Sequence, residues 1–62
     1  MQIHLIQARK EAGITQEELA QKIGISTTSY YKKETGKRDF KLKECYRIAE
    51  ILNKEISDLF TR

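Results

Sequence analysis

The 62-residue chain has room for one small domain, which we place at residues 1–62, and its composition excludes several classes of protein. It contains no proline, three glycines and one cysteine, so it has neither a proline-rich linker nor an internal disulfide. Its apolar runs are too short to span a bilayer and its start lacks the apolar core of a signal peptide, so we expect a cytoplasmic protein without a membrane contact.

Positive charge is concentrated in one segment of the chain. The formal net charge is +3, and residues 27–43 hold six basic residues against two acidic ones. In residues 1–26 three basic and three acidic residues cancel, and in residues 44–62 four acidic residues meet three basic ones. Such a basic segment is either a solubilising surface or the part of a protein that lies along a DNA backbone.

An apolar stripe at helical spacing predicts a first helix that ends at Gly13. The stripe consists of Met1, Leu5, Ala8 and Ala12. Ile3 and Ile6 fall off this stripe, and two alternatives remain open: they pack beneath the C-terminal residues, or they are exposed. His4 is expected at the surface, because no second histidine, cysteine pair or acidic cluster accompanies it as a metal ligand.

A second helix is predicted for residues 16–23. Thr15 precedes it and Glu18 lies three residues further on, which is the spacing of a capping box. Gly24 ends the helix, because a chain that leaves a helix often needs a positive φ, which glycine adopts without steric cost. The inner face is formed by Leu19, Ala20 and Ile23.

A third helix is predicted for residues 27–35, with Ser26 as its N-cap after one apolar turn residue, Ile25. Spacing of four residues places one group of side chains on a common outer face, namely Thr27, Thr28, Tyr31 and Lys32. Tyr30 and Glu34 fall on another face, and we assign Tyr30 to the core. A capped helix, a glycine turn and a second capped helix are typical of a helix-turn-helix.

A polar connector at residues 36–39 leads to a fourth helix at residues 41–53 and a short last turn at residues 56–60. The inner face of the fourth helix is predicted to be Leu42, Cys45, Ile48, Ala49 and Leu52. Cys45 is then a small core residue, with a reactive thiol as the alternative. Asn53 is expected to end this helix in the left-handed conformation.

Over residues 5–60 the chain resembles the DNA-binding domain of the phage repressor and Cro family, the Cro/C1-type (XRE-like) helix-turn-helix regulators. The matching residues are Leu5, Arg9, the segments 13–20, 23–26 and 34–38, and Ile48, Ala49, Leu52 and Leu59. The resemblance implies an all-α, lambda-repressor-like fold, a compact bundle of about five short helices. It also implies a sequence-specific transcriptional regulator, a repressor, that binds double-stranded DNA and needs no cofactor or metal.

The same resemblance assigns roles to individual residues. Base-edge contacts fall to Thr27, Thr28, Tyr31 and Lys32, on a helix that enters the major groove. Phosphate contacts fall to Thr15, Gln16, Ser26, Lys37 and Arg38. Arg9 and Glu34 are expected to form a partly buried ion pair that ties the first helix to the third. Ile56 and Phe60 match the region that meets a two-fold mate, which implies a homodimer on a near-palindromic operator.

Two positions depart from the family pattern. Lys33 stands where the family usually has an apolar or aromatic residue, and Phe40 stands where it usually has proline. Since helical phase points Lys33 inward, we expect its stem to follow the edge of the core with its amine in water. Phe40 is expected to fill the gap beside it.

Two other classes of function are the alternatives to a DNA-binding regulator. In a protein-interaction module, such as an antitoxin or an anti-repressor partner, DNA binding would be weak and an apolar patch would be exposed. That patch would consist of Ile3, Ile6, Ile56 and Phe60. An enzyme has no support, because the sequence shows no metal cluster, no nucleophile–base set and no glycine-rich phosphate loop.

Overall fold

Five helices follow one another in the computed structural model, which describes residues 1–60. They are α1 (Ile3–Glu11), α2 (Gln16–Ile23), α3 (Thr27–Glu34), α4 (Leu42–Leu52) and α5 (Ile56–Leu59). This part of the chain contains no strand, so the fold is all-α, as the sequence predicted. None of these helices is long and apolar enough to cross a membrane. The Cα radius of gyration, 10.1 Å, is that of a compact bundle, for which about 10.6 Å is typical at this length.

The turn between α2 and α3 is built from the local signals that predicted it. The Thr15 hydroxyl accepts a hydrogen bond from the Glu18 N–H at 3.1 Å, and the Glu18 carboxylate accepts one from the Thr15 N–H at 2.9 Å. Gly24 ends α2 with φ +79°, in the left-handed region. The Ser26 hydroxyl then accepts a hydrogen bond from the Ser29 N–H at 3.1 Å and caps α3. The predicted helix-turn-helix is therefore confirmed.

The core lies where the inner faces of the helices meet. Helix α2 packs on α3 and on α4, and α5 packs on α1 and on α4. The buried apolar residues are Leu5, Ala8, Leu19, Ala20, Tyr30, Ile48, Ala49, Leu52 and Leu59. Tyr30 is fully buried, as predicted, and it is among the largest of these side chains. The core therefore supports α3 from beneath and leaves its other face to solvent.

Three residues that were predicted on inner faces are exposed instead. Met1 precedes α1 and is 75% exposed, and Ala12 lies just beyond the last residue of that helix. Leu42 is the first residue of α4 and is 66% exposed. The reason is common to all three, because the end of a helical stripe extends past the edge of a small core. Asn53 ends α4 with φ +55°, as predicted.

The expectation for Lys33 was wrong. Its side chain does not reach water but is buried, and its Nζ lies 2.7 and 2.8 Å from the two carboxylate oxygens of Glu44 in α4. This carboxylate offsets the loss of hydration of the ammonium group, so the charge can remain inside. Phe40 is partly buried and packs edge-to-face between Tyr30 and Phe60, with ring centroids 5.7 and 5.4 Å away.

Candidate nucleic-acid interface

Helix α3 has one face inside the protein and one face in solvent. On the inner face, Tyr30, Lys33 and Glu34 are buried. The outer face carries the four predicted base-edge residues, and all of them are exposed: Thr27, Thr28, Tyr31 and Lys32. The structure thus leaves two hydroxyl groups, a phenol and an ammonium group accessible on one face of one short helix.

The connector after α3 folds back onto the end of that helix. The backbone N–H groups of Lys37 and Arg38 both bond to the Lys32 carbonyl oxygen, at 2.8 and 3.2 Å. Gly36 allows this reversal with φ +90°, a conformation that L side chains rarely adopt. The side chains of Lys37 and Arg38 are exposed. Lys37 and Arg38, two predicted phosphate contacts, are therefore held next to the backbone of Lys32, a predicted base contact.

The remaining phosphate candidates stand at the starts of α2 and α3. Thr15 and Ser26 are exposed N-cap residues whose hydroxyl oxygens accept backbone hydrogen bonds. Because a hydroxyl group that accepts can also donate, each keeps its proton for a further partner. Gln16 is engaged inside the protein, since its Nε2 donates to Glu34 Oε1 at 2.9 Å. Sequence reasoning missed that contact.

Glu34 is the centre of a buried network that joins three helices. Arg9 in α1 binds it bidentately, through Nε to Oε2 at 2.9 Å and Nη2 to Oε1 at 3.1 Å. The Tyr30 hydroxyl donates to Oε2 at 2.5 Å, and Gln16 donates from the start of α2. Arg9 also donates through Nη1 to the Ile14 carbonyl oxygen at 2.9 Å. The structure therefore brings Arg9 and Glu34 together, with two partners that were not predicted as such.

The electrostatics of this network keep Glu34 ionised at neutral pH. Burial opposes ionisation of Glu34, but hydrogen bonds from Arg9, Tyr30 and Gln16 outweigh it and hold the pKa of that carboxyl below its usual range. Burial also raises the pKa of the Tyr30 phenol, and the bond to Glu34 adds to that effect. Tyr30 therefore remains a donor. The spacing of four residues between Tyr30 and Glu34 was the signal that could have revealed this bond.

A second buried ion pair lies beside the first and was missed entirely. Glu44 accepts from Lys33 with both oxygens, and its Oε1 also accepts the backbone N–H of Lys41 at 2.9 Å. Burial opposes ionisation of Glu44, but these contacts outweigh it and hold its pKa below the usual range. No local signal could have found the pair, because its two members lie on different helices.

The residues predicted for a dimer interface are partly used inside the protein. Ile56 and Phe60 are half-buried and pack against the core, and the Phe60 ring meets Phe40. Ile6 is also partly buried, whereas Ile3 is 57% exposed. The apolar patch required by a protein-interaction module is thus reduced in area. Within residues 1–60 no group of three or more His, Cys, Asp or Glu side chains could hold a metal ion.

Two capped helices joined by a glycine turn, with an exposed polar face and a basic connector, define a helix-turn-helix domain. A family model described as helix-turn-helix matches residues 5–59. Three archaeal relatives share the name "uncharacterized HTH-type transcriptional regulator". One from Archaeoglobus fulgidus is 38% identical over 60 residues, covering 97% of this chain and 86% of its own.

The other two relatives extend the comparison to two further organisms. The one from Methanothermobacter thermautotrophicus is 42% identical over 53 residues, covering 84% of this chain and 77% of its own. The one from Methanocaldococcus jannaschii is 40% identical over 47 residues, covering 76% of this chain and 71% of its own.

The chain therefore belongs to the helix-turn-helix family of the Cro/C1 (XRE-like) type. Members of this family are DNA-binding regulators of transcription and not enzymes, and this chain is one of them.

Proposed function

We propose that the protein is a sequence-specific repressor that places α3 in the major groove of double-stranded DNA. One observation carries this proposal: the outer face of α3 is exposed while its inner face is fixed by the Glu34 network. A helix that reads bases must present the same side chains in the same orientation each time it binds. A domain bound over a promoter represses by occupying the site that the polymerase needs.

The side chains of the outer face suit base readout. Thr27 and Thr28 can exchange hydrogen bonds with base edges, and their methyl groups can contact the methyl of thymine. Lys32 can donate to O6 and N7 of guanine. Tyr31, which is 48% exposed, can stack or donate its hydroxyl to a phosphate. Together these contacts would specify a few base pairs.

Phosphate contacts would come from three places around α3. Lys37 and Arg38 extend from the connector, and Ser26 stands at the start of α3 itself. Thr15 and Gln16 stand at the start of α2, where free backbone N–H groups and the helix dipole favour an anion. Because Glu34 holds one proton of the Gln16 amide, Gln16 would contribute its backbone N–H or its second amide proton. Contacts of this type fix the position of a protein on DNA and carry no direct sequence information.

A single helix reads too few base pairs to mark a promoter, so we propose a homodimer on a near-palindromic operator with half-sites one helical turn apart. Ile56 and Phe60 would form the contact, using the parts of their side chains that the core leaves exposed. Sedimentation with and without operator DNA tests this step. A second protomer should bind with the first on the operator, and a strict monomer on DNA would contradict the dimer.

Selection from a pool of random double-stranded oligonucleotides tests the function as a whole. We expect an enriched, near-palindromic sequence. The logarithm of its binding constant should fall linearly with the logarithm of salt concentration, by roughly 0.9 for each phosphate contact, because bound counterions are released. Loss of reporter transcription when the enriched site overlaps a promoter tests repression. A pool in which no sequence is enriched would contradict specific binding.

A further inference from the structure

Two consecutive residues of α3 carry opposite charges, and both charges are buried. Lys33 is 7% exposed and Glu34 is 1% exposed. Glu34 is bound by Arg9 of α1 and Gln16 of α2. Lys33 is bound by Glu44 of α4 through both carboxylate oxygens, at 2.7 and 2.8 Å. The last turn of the helix is therefore fastened in two directions to three other helices.

The angle between the two attachments determines what they can fix. Consecutive side chains of an α-helix project about 100° apart around its axis, since a turn takes about 3.6 residues. One attachment holds the inner face of the helix in place but still leaves room for a small roll. A second attachment at a different angle removes that freedom. Glu44 is itself fixed, because its Oε1 accepts the N–H of Lys41 at the start of α4.

The roll of α3 decides which atoms reach the bases. Side-chain tips lie about 5–6 Å from a helix axis, so a roll of about 20° moves them by about 2 Å. Hydrogen bonds tolerate much less, because their donor–acceptor distances lie within about 0.5 Å of one another. Contacts to base edges would be lost at such a roll, whereas flexible lysine and arginine side chains could follow the phosphates.

We propose that Lys33 and Glu44 are positioning residues for sequence recognition, and that their ion pair fixes the roll of α3 relative to α4. This inference rests on the proposed function of α3 as the reading helix. An apolar residue in place of Lys33 would fill the same space but would not impose a direction, because apolar contacts are non-directional. The Lys33 charge is offset by Glu44 inside the protein and does not serve as a phosphate contact.

The test replaces both members of the pair with apolar residues, K33M/E44L. Such replacements of a buried ion pair are often neutral or stabilising, so the variant should fold. The matched control is R47M/E50L, which removes the same charges from an exposed pair of α4 whose atoms lie 3.5 Å apart. For each protein, affinity is measured for the selected operator and for an unrelated duplex of equal length, well below the melting temperature.

We expect the ratio of operator affinity to unrelated-duplex affinity to fall about tenfold in K33M/E44L, the loss of roughly one good base contact. In the control this ratio should stay within about twofold. Affinity for the unrelated duplex and its salt dependence should not change in K33M/E44L. If that variant fails to fold, K33L/E44M replaces it, because it also removes both charges and leaves neither partner buried without its counter-charge. Its ratio should fall in the same direction.

Three results would overturn the inference. An unchanged ratio in a folded K33M/E44L or K33L/E44M protein would mean that the pair only fills the core. Weaker binding of the unrelated duplex with a smaller salt dependence would mean that Lys33 contacts phosphate. If the unaltered protein itself binds the operator and the unrelated duplex equally well, the proposed function is wrong. That result differs from a failure of this inference alone, in which only the variants show an unexpected ratio.

Discussion

Replacing Glu34 with glutamine would remove a buried charge while keeping the volume of the side chain. Glu34 accepts four hydrogen bonds, two on each oxygen, and it is 1% exposed. Whichever way the glutamine amide is turned, its NH₂ group meets an Arg9 nitrogen that is also a donor. In the native protein Arg9 Nε lies 2.9 Å from Glu34 Oε2, and Arg9 Nη2 lies 3.1 Å from Glu34 Oε1. The guanidinium therefore loses its counter-charge and at least one hydrogen bond.

The expected loss is large relative to the stability of so small a protein. Removing one partner of a buried ion pair costs about 3–5 kcal/mol. A chain of 62 residues has a free energy of unfolding of roughly 3–9 kcal/mol in total. The E34Q variant should thus lose much of its stability, and a marginal protein would be largely unfolded at 25 °C.

Urea unfolding at pH 7, followed by circular dichroism, measures this loss. E50Q is the matched control, because the Glu50 side chain is 75% exposed and its contact with Arg47 is 3.5 Å long. That control should leave the urea midpoint unchanged. A loss below about 1 kcal/mol in E34Q would refute the view that the Glu34 network holds α3 in place.

Acid and a substitution at Gly36 in the connector should each destabilise the protein. Because the pKa values of Glu34 and Glu44 are lowered in the folded state, the unfolded state binds more protons in acid. The melting temperature should therefore be steady from pH 7 to about pH 5 and fall as the pH drops through these lowered values; a constant melting temperature down to pH 3 would contradict this. An alanine in the left-handed conformation costs ~1–2 kcal/mol of folding free energy. Gly36→Ala should destabilise the protein by more than this, since the new Cβ would lie 2.8 Å from the Met1 nitrogen. Gly13→Ala is the control, with φ +71° and no neighbour within 4 Å; an equal loss in both variants in urea unfolding would rule out the clash.

The helix-turn-helix itself could be predicted because its signals are local. Thr15, Gly24 and Ser26 act on the backbone within three or four residues of themselves, and each does in the structure what the sequence indicated. The burial of Tyr30 also followed from helical phase combined with the family pattern. Caps, turns and helical phase depend on residues close together in the chain and can thus be predicted from one sequence.

Contacts between side chains of different helices could not be predicted in the same way. Helical phase showed that Lys33 points inward, but only the packing of α3 near the start of α4 brings Glu44 to it. Leu42 kept the spacing of an inner face, yet as the first residue of α4 it lies past the edge of the core. Gln16 was assigned to phosphate by resemblance, and its bond to Glu34 depends on how α2 crosses α3. Each difference arises from tertiary packing.

In the proposed function, the outer face of α3 reads bases and the connector holds phosphates. Selection from random oligonucleotides and salt titration of two variants would separate these two roles. Lys32→Ala should relax the preference at one base position by about 1–3 kcal/mol and leave the others intact. Arg38→Ala should weaken binding to all sequences alike and reduce the salt slope by about 1. If both variants only scale the affinity, with the same base preferences as the unaltered protein, the division of roles is wrong.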